Sequence, residues 1–320
     1  MRYRNVIALS CSAALAIGIA ACGGDDGGDN ATTSGGGSAQ KLAGTIRIDG
    51  SSTVFPFAQA AAEIFQQENP DVRITVSESG TGGGFEKFCN SETDISNASR
   101  PIEDDEKAAC AEKKVSSAEI QVANDGIAVV SNPSLKIACF TTGQLKQLWA
   151  TDTVRSYDQI DPKLPKGEVS LFGPGTDSGT FDFFTATING EEGRTRKDYQ
   201  PSEDDNVLVQ GVSGDENGLG YFGFGYYEQN KDKLNLVGVD AGQGCVKPSS
   251  ADIQSGKYAP LSRPILMYPS SAALKRPEVK AFMDFVVASQ QDIATTAQIV
   301  PMTDEQAQKS KDAVGRLAGA

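Results

Sequence analysis

The sequence of 320 residues predicts an α/β protein of two lobes with largely parallel sheets. Three observations carry that expectation. Short apolar or alternating runs are separated by helical periods along most of the chain, the pattern of strands joined by crossover helices. Four strands run into turns rich in Gly, Ser and Thr, each followed by a helix. Two further strands, residues 120–131 and 262–268, are placed to cross between lobes.

The N-terminal part stands apart from this pattern. Residues 1–21 combine a basic start (Arg2, Arg4) with an apolar run too short for a comfortable membrane span, which reads as an export signal. It ends in Ile19-Ala20-Ala21-Cys22, which resembles a bacterial lipobox, whose Cys is diacylated at its thiol and becomes the mature N-terminus. Residues 22–44 then form a Gly/Ser/Asp-rich tether without apolar period. The expectation is a soluble domain held by lipid to the cell membrane, on its extracytoplasmic side. Its lobe I takes residues 45–123 plus 260–320, and lobe II residues 124–259.

Residues 45–49 (TIRID) alternate as a strand and lead through Gly50-Ser51-Ser52-Thr53-Val54 to a helix with Phe57, Ala61, Ile64 and Phe65 on one face. Residues 72–77 (VRITVS) repeat the strand, followed by Ser79-Gly80-Thr81 and three glycines, 82–84. Glycine weakens a helix, so something should require bare backbone there. The third strand, residues 92–96, precedes Asn97-Ala98-Ser99-Arg100-Pro101, with Ser99 read as helix cap and Pro101 as the first helical residue. Arg100 would then lie at the positive end of a helix, unfavourable unless an anion joins it; a salt bridge to Glu103 or Asp104 is the plainer alternative. Residues 142–150 form a helix capped at Thr141 or Thr142, with Trp149 in the core. The fourth turn, Gly173-Pro174-Gly175-Thr176-Asp177, opens a helix at Ser178-Gly179-Thr180. Residues 211–227 read as a glycine-rich loop entering an aromatic strand, and residues 236–239 as another strand. Pro277 opens a helix with Val279, Phe282, Met283 and Val286 at core spacing, and Thr303 to Gln306 is a capping box for the last helix.

The recurring turn is suited to an anion. A helix start leaves backbone N–H groups unpaired, and the hydroxyls of Ser178 and Thr180 donate to oxyanion oxygens while Gly179 admits close approach. Ser79–Gly84 lacks the G-x-G-x-x-G spacing of a dinucleotide fold, and no cofactor is expected. The sequence contains no histidine, which removes imidazole bases, Ser-His-Asp triads and His metal sites. No catalytic residue and no metal ligand is assigned, and the protein is read as a binding protein rather than an enzyme. The net charge is −13, and −15 once Arg2 and Arg4 leave with the signal, which argues against nucleic acid as a partner. It does not argue against a small anion, because the global field is screened within roughly 8–10 Å. Besides Cys11 and Cys22 there are four cysteines, Cys89, Cys110, Cys139 and Cys245, none in a C-x-x-C pair. Two disulfides are expected in an exported chain. Three pairings are possible, and Cys89–Cys110 with Cys139–Cys245 is favoured because each bridge then stays within one lobe.

Taken together, GSSTVFPF, SGTGGGFEKFCNSETDISNASRPI and GPGTDSGTFDFF resemble the phosphate-binding proteins of bacterial phosphate ABC importers, over essentially the whole chain from Thr45. The resemblance implies a type II periplasmic-binding-protein clamshell, a monomer that closes on inorganic phosphate and delivers it to membrane permease subunits. Carried over by motif, Ser52, Thr53 and Val54 come from the first loop, Thr81 from the second, and Ser178, Gly179 and Thr180 from the fourth. The better-known branch has an Arg just before the SGT motif and an Asp acceptor at the third loop; here these places hold Pro174 and Ser99. Arg100 is the candidate for the missing cation, and Asp177 for the acceptor of the phosphate proton. A receptor for another tetrahedral oxyanion (sulfate, arsenate, molybdate) is the alternative. A phosphatase or Ser hydrolase would lack a base, and a scaffold would show no ligand-induced closure.

Overall fold

The structure, a computed structural model, describes residues 41–319; the expected export signal, Cys22 and the expected tether as far as Gln40 lie outside the described residues. The first motif folds as its alternation requires. In β1 (Gly44–Gly50), Ile46 and Ile48 face inward, and the chain passes through Ser51–Val54 into α1 (Phe55–Glu68), which has Pro56 in its first turn. β2 (Val72–Val76) returns parallel to β1, and α2 (Gly80–Cys89) leads to β3 (Ile95–Ala98), parallel to β1 on its other side. α3 (Asp104–Glu112) then precedes the longest strand, β4 (Ile120–Ser131).

The second half repeats the scheme around β5 (Cys139–Thr141), α4 (Thr142–Trp149), β6 (Ser170–Pro174), α5 (Gly179–Phe184) and a π-helical turn at Thr185–Asn189. It continues with β7 (Gln200–Ser202), α6 (Asp205–Gly214), β8 (Gly218–Gly223), α7 (Phe224–Gln229), β9 (Asn235–Asp240), β10 (Cys245–Val246) and α8 (Ser250–Gln254). β11 (Ser262–Pro269) then leads to α9 (Pro277–Ala288), α10 (Gln290–Thr296) and α11 (Asp304–Ala318), the last with the expected capping box of Thr303 and Gln306. The strand order is β2-β1-β3-β11-β4-β8-β6-β7. Two parallel trios, β2-β1-β3 and β8-β6-β7, are joined by β11 and β4, which run antiparallel to each other and to their outer neighbours.

Burial follows this division. One core collects residues between Ile46 and Ala123 with others between Ile265 and Leu317, and beside it Phe85, Phe88, Cys89, Ala98, Cys110, Leu266 and Tyr268 form a smaller cluster; a further core collects residues from Ile127 to Leu261 with Val300. β4 serves both, pairing with β11 up to Gly126 and with β8 and β9 from Ile127 and Val129 onward. Trp149 is a core residue, with the rings of Tyr221 at 4.7 Å and Phe184 at 5.7 Å standing edge-on to it. The disulfides are Cys89–Cys110, which ties α2 to α3, and Cys139–Cys245, which ties β5 to β10. No helix among the described residues is long and apolar enough to cross a membrane.

Three local expectations need correction. α3 starts at Asp104, with Glu103 and Glu106 forming its capping box, so Ser99 is not its cap and Arg100 precedes the helix by several residues. Residues 211–227 are not a loop entering one strand. Gly211 lies in α6, and the aromatic run divides between β8 and α7 at Gly223. The three glycines of the second turn lie inside α2, and at least one is bare for packing rather than for a ligand. A Cβ on Gly84 would stand 2.5 Å from the Cα of Gly50.

Candidate functional site

The first and fourth turns meet. A Cβ on Gly179 would lie 2.4 Å from Thr53 Oγ1, 2.5 Å from Ser52 Oγ and 2.5 Å from the Thr53 backbone nitrogen. Only glycine permits this approach between the turn that follows β1 and the helix start that follows β6. Ser178 caps α5, its Oγ accepting from the Thr180 N–H at 3.2 Å, which leaves the Ser178 hydroxyl proton free to donate outward. Val54 is fully buried, and its N–H donates to the Ser51 carbonyl at 3.1 Å.

Two cavities flank this contact, of about 430 and about 320 Å³. They are near enough in size that charge separates them. The larger contains Ser52, Thr53, Thr81, Ser99, Arg100, Gly179, Asp182 and Arg263. Here Thr81 and Ser99 join through their hydroxyls at 3.2 Å, so the second and third turns form one wall. The smaller shares Ser52, Thr53 and Gly179, and its other lining residues include Ser178, Thr180, Tyr226 and five carboxylates: Glu78, Asp125, Asp177, Glu203 and Asp205. No Lys or Arg is among its lining residues. Burial, with help from Asp204, Asp125 and Glu203, pushes the Asp205 carboxyl up to about 7 against the opposing hydrogen bond of Gly223. Asp177 is exposed on this side, its backbone N–H 3.3 Å from a Glu203 oxygen. The expected residues therefore converge on one contact but divide between two cavities. Thr81 and Arg100 lie in the first, Ser178, Thr180 and Asp177 in the second.

Two arginines reach the larger cavity, and their commitments differ. The Arg100 guanidinium forks onto Glu106, with Nη1 and Nη2 each at 2.8 Å from a carboxylate oxygen, and Nε lies 3.2 Å from Glu103. The Glu106 hydrogen bond is the main reason its pKa is raised. Arg263 comes from β11, the strand paired with β4, and stands directly opposite Asp125 in the antiparallel register. Its Nε lies 3.2 Å from Asp125 Oδ2, and its side chain is only 9% exposed. Its Nη2 donates to Thr53 Oγ1 from the first turn and to the Gly179 carbonyl from the fourth, the latter at 3.1 Å. Its Cζ rests 3.9 Å above the Phe183 ring, where cation–π attraction favours the charge. Burial pushes the Arg263 pKa down while Asp125 holds it up, and a guanidinium stays protonated throughout. Among the described residues no hydrogen bond engages Nη1, which leaves donors facing the cavity.

Arg263 has no local motif to announce it, since residues 262–268 read only as a crossing strand. A signal was present. Asp125 and Arg263 are charges set inside the two most central apolar strands, and buried charges of that kind require partners.

Comparison with known proteins places the chain. The model of the PBP superfamily domain matches residues 33–290. The Protein SphX of Synechococcus elongatus is 42% identical, covering 83% of this chain and 79% of its own. The phosphate-binding protein PstS of Staphylococcus saprophyticus is 38% identical over 85% of this chain and 86% of its own. The crystal structure of a possible phosphate-binding protein from Planctomyces limnophilus is 40% identical, covers 87% of this chain and 99% of its own, and superposes with a TM-score of 0.81.

Proposed function

The chain belongs to the PBP superfamily and, within it, to the PstS family of phosphate-binding proteins, and from that premise we propose that it binds inorganic phosphate outside the cytoplasm and delivers it to the permease of an ABC importer. The observation that carries this reading is the contact at Gly179. Turns from the two halves of the molecule approach within the reach of one small anion, over a buried arginine that already donates to both. The ligand set is Ser52, Thr53, Thr81, Ser178, Gly179 and Thr180, with the Val54 backbone behind them and Arg263 as the principal cation. Arg100 belongs to the wall, its charge largely answered by Glu106 and Glu103. The two cores are the lobes of the clamshell, a domain near Ile46–Ala123 with Ile265–Leu317 and another over Ile127–Leu261. Binding, not catalysis, is the activity assigned, in keeping with the phosphate-binding relatives and with a sequence that has no histidine to pair with the Ser178 hydroxyl. The N-terminal sequence supports anchoring through an acylated Cys22, with the protein acting as a monomer.

Calorimetric titration of the purified protein with phosphate, repeated in excess sulfate, tests the reading. One-to-one binding of phosphate that persists in sulfate is expected. Binding abolished by sulfate would favour the wider reading of a tetrahedral-oxyanion receptor, and no binding of either anion would end it. For the anchor, Cys22→Ala should move the protein from the membrane fraction to the soluble one.

A further inference from the structure

A phosphate site that excludes sulfate needs an acceptor for the proton that hydrogen phosphate carries and sulfate lacks. The third turn offers Ser99, a hydroxyl that donates as readily as it accepts. We propose that Asp182 is this acceptor and sets the preference of the site for hydrogen phosphate over sulfate, an inference that rests on the phosphate reading above.

Asp125 is taken by Arg263, and Glu106 and Glu103 by Arg100. Asp177 is exposed and borders the neighbouring cavity. Glu192 reaches the rim of the larger cavity but is exposed. Asp182 lies in α5, one turn beyond the Gly179 contact. It is half-buried and lines the same cavity as Thr53, Thr81, Ser99 and Arg263. Among the described residues no donor is hydrogen-bonded to its carboxylate, so its oxygens are available to a proton brought in by the ligand. The charged or titratable groups that face it are Glu192, Arg263, the phenol of Tyr221 and, across the cavity, Arg100.

The protonation behaviour agrees with this geometry. Burial, reinforced by Glu192 and opposed by Arg263, pushes the Asp182 carboxyl up to about 6. Above that pH it is ionised and only accepts. Hydrogen phosphate supplies the shared proton itself, on one of its own oxygens. Sulfate must instead wait for Asp182 to take a proton from water, so its binding consumes one proton. Its affinity should therefore fall about tenfold per pH unit above 6.

The test is titration of phosphate and sulfate from pH 6 to 8.5 with the wild-type protein, Asp182→Asn, Asp177→Asn and Glu192→Gln. The expected result is that Asp182→Asn lowers the phosphate-to-sulfate affinity ratio at pH 8 by at least a hundredfold. Part of that change should be tighter sulfate binding, which a misfolded variant could not show. The same variant should lose the pH dependence of sulfate binding, while Asp177→Asn and Glu192→Gln keep the ratio within threefold of wild type. A ratio unchanged in Asp182→Asn, or collapsed by either of the other two, overturns the assignment while leaving phosphate binding intact. Wild-type protein that binds neither anion overturns the phosphate reading itself, and this inference with it.

Discussion

Arg100 and Arg263 border the same cavity, yet their guanidinium donors are committed in opposite ways. Arg100 spends all three guanidinium nitrogens on its own segment, on Glu106, Glu103 and the Pro101 carbonyl. Arg263 spends Nε on one carboxylate and Nη2 on two neutral oxygens drawn from opposite halves of the protein. The difference teaches that proximity to a cavity does not make a cation a ligand. What counts is the fraction of its donors still unspent, and whether low exposure keeps water from answering the charge.

Arg263→Ala should have the largest effect. It removes charge-assisted hydrogen bonds worth about 1.5–3 kcal/mol each, so phosphate affinity should fall by roughly a hundredfold or more in calorimetry. It also strands Asp125, and breaking a buried pair costs about 3–5 kcal/mol of stability. Adding Asp125→Asn should recover much of the melting temperature and none of the affinity. Recovery of both would make Arg263 a structural residue only. Gly179→Ala should come next. Its methyl group would meet Thr53 and Ser52 at under 3 Å, so small-angle scattering should show no compaction on phosphate addition although the fold persists. Arg100→Ala should cost less than about tenfold in affinity, and Glu106→Gln, which unties that guanidinium, should tighten binding slightly. A larger loss in Arg100→Ala than in Arg263→Ala would reverse the ranking of the two.

The smallest effect concerns pH. The folded-state pKa of Asp205, about 7, lies above the ~3.9 of an unfolded Asp. Between those values the folded protein holds at Asp205 a proton that the unfolded chain has released, so the contribution of this group to stability is largest at low pH and is lost as pH rises to 7. Thermal melts from pH 5 to 7.5 should fall in midpoint, and Asp205→Asn should flatten the trend.

Most of the fold was legible because its signals are local. Ile46 and Ile48 alternate, Thr303 and Gln306 box a helix, and Trp149 sits at core spacing; each is decided within a few residues. Half of the candidate site was legible for the same reason, since the Ser52-Thr53 and Ser178-Gly179-Thr180 turns stand out in sequence, and the structure brings Ser52, Thr53 and Gly179 together. The rest depends on register. That Arg263 faces Asp125 follows from the alignment of β11 with β4, 138 residues apart, which no short window contains. Arg100 misled in the opposite way. Pro101 resembles a helix start, but the capping box of Glu103 and Glu106 begins the helix later and draws the guanidinium to itself. The aromatic run at 220–227 misled because Phe and Tyr favour strands, while Gly223 ends β8 and the following residues pack as α7.

The place of the Arg263–Asp125 pair has a mechanical consequence. It sits where β4 stops pairing with β11 and begins pairing with β8, so that among these strands β4 runs through both halves while β11 lies beside it. On the phosphate reading proposed above, a swing of one half against the other would turn about this crossing, and a charge on the axle has almost no lever arm. The cation would then stay still while the hydroxyls travel, so that an anion meets Arg263 already in position before the two jaws close.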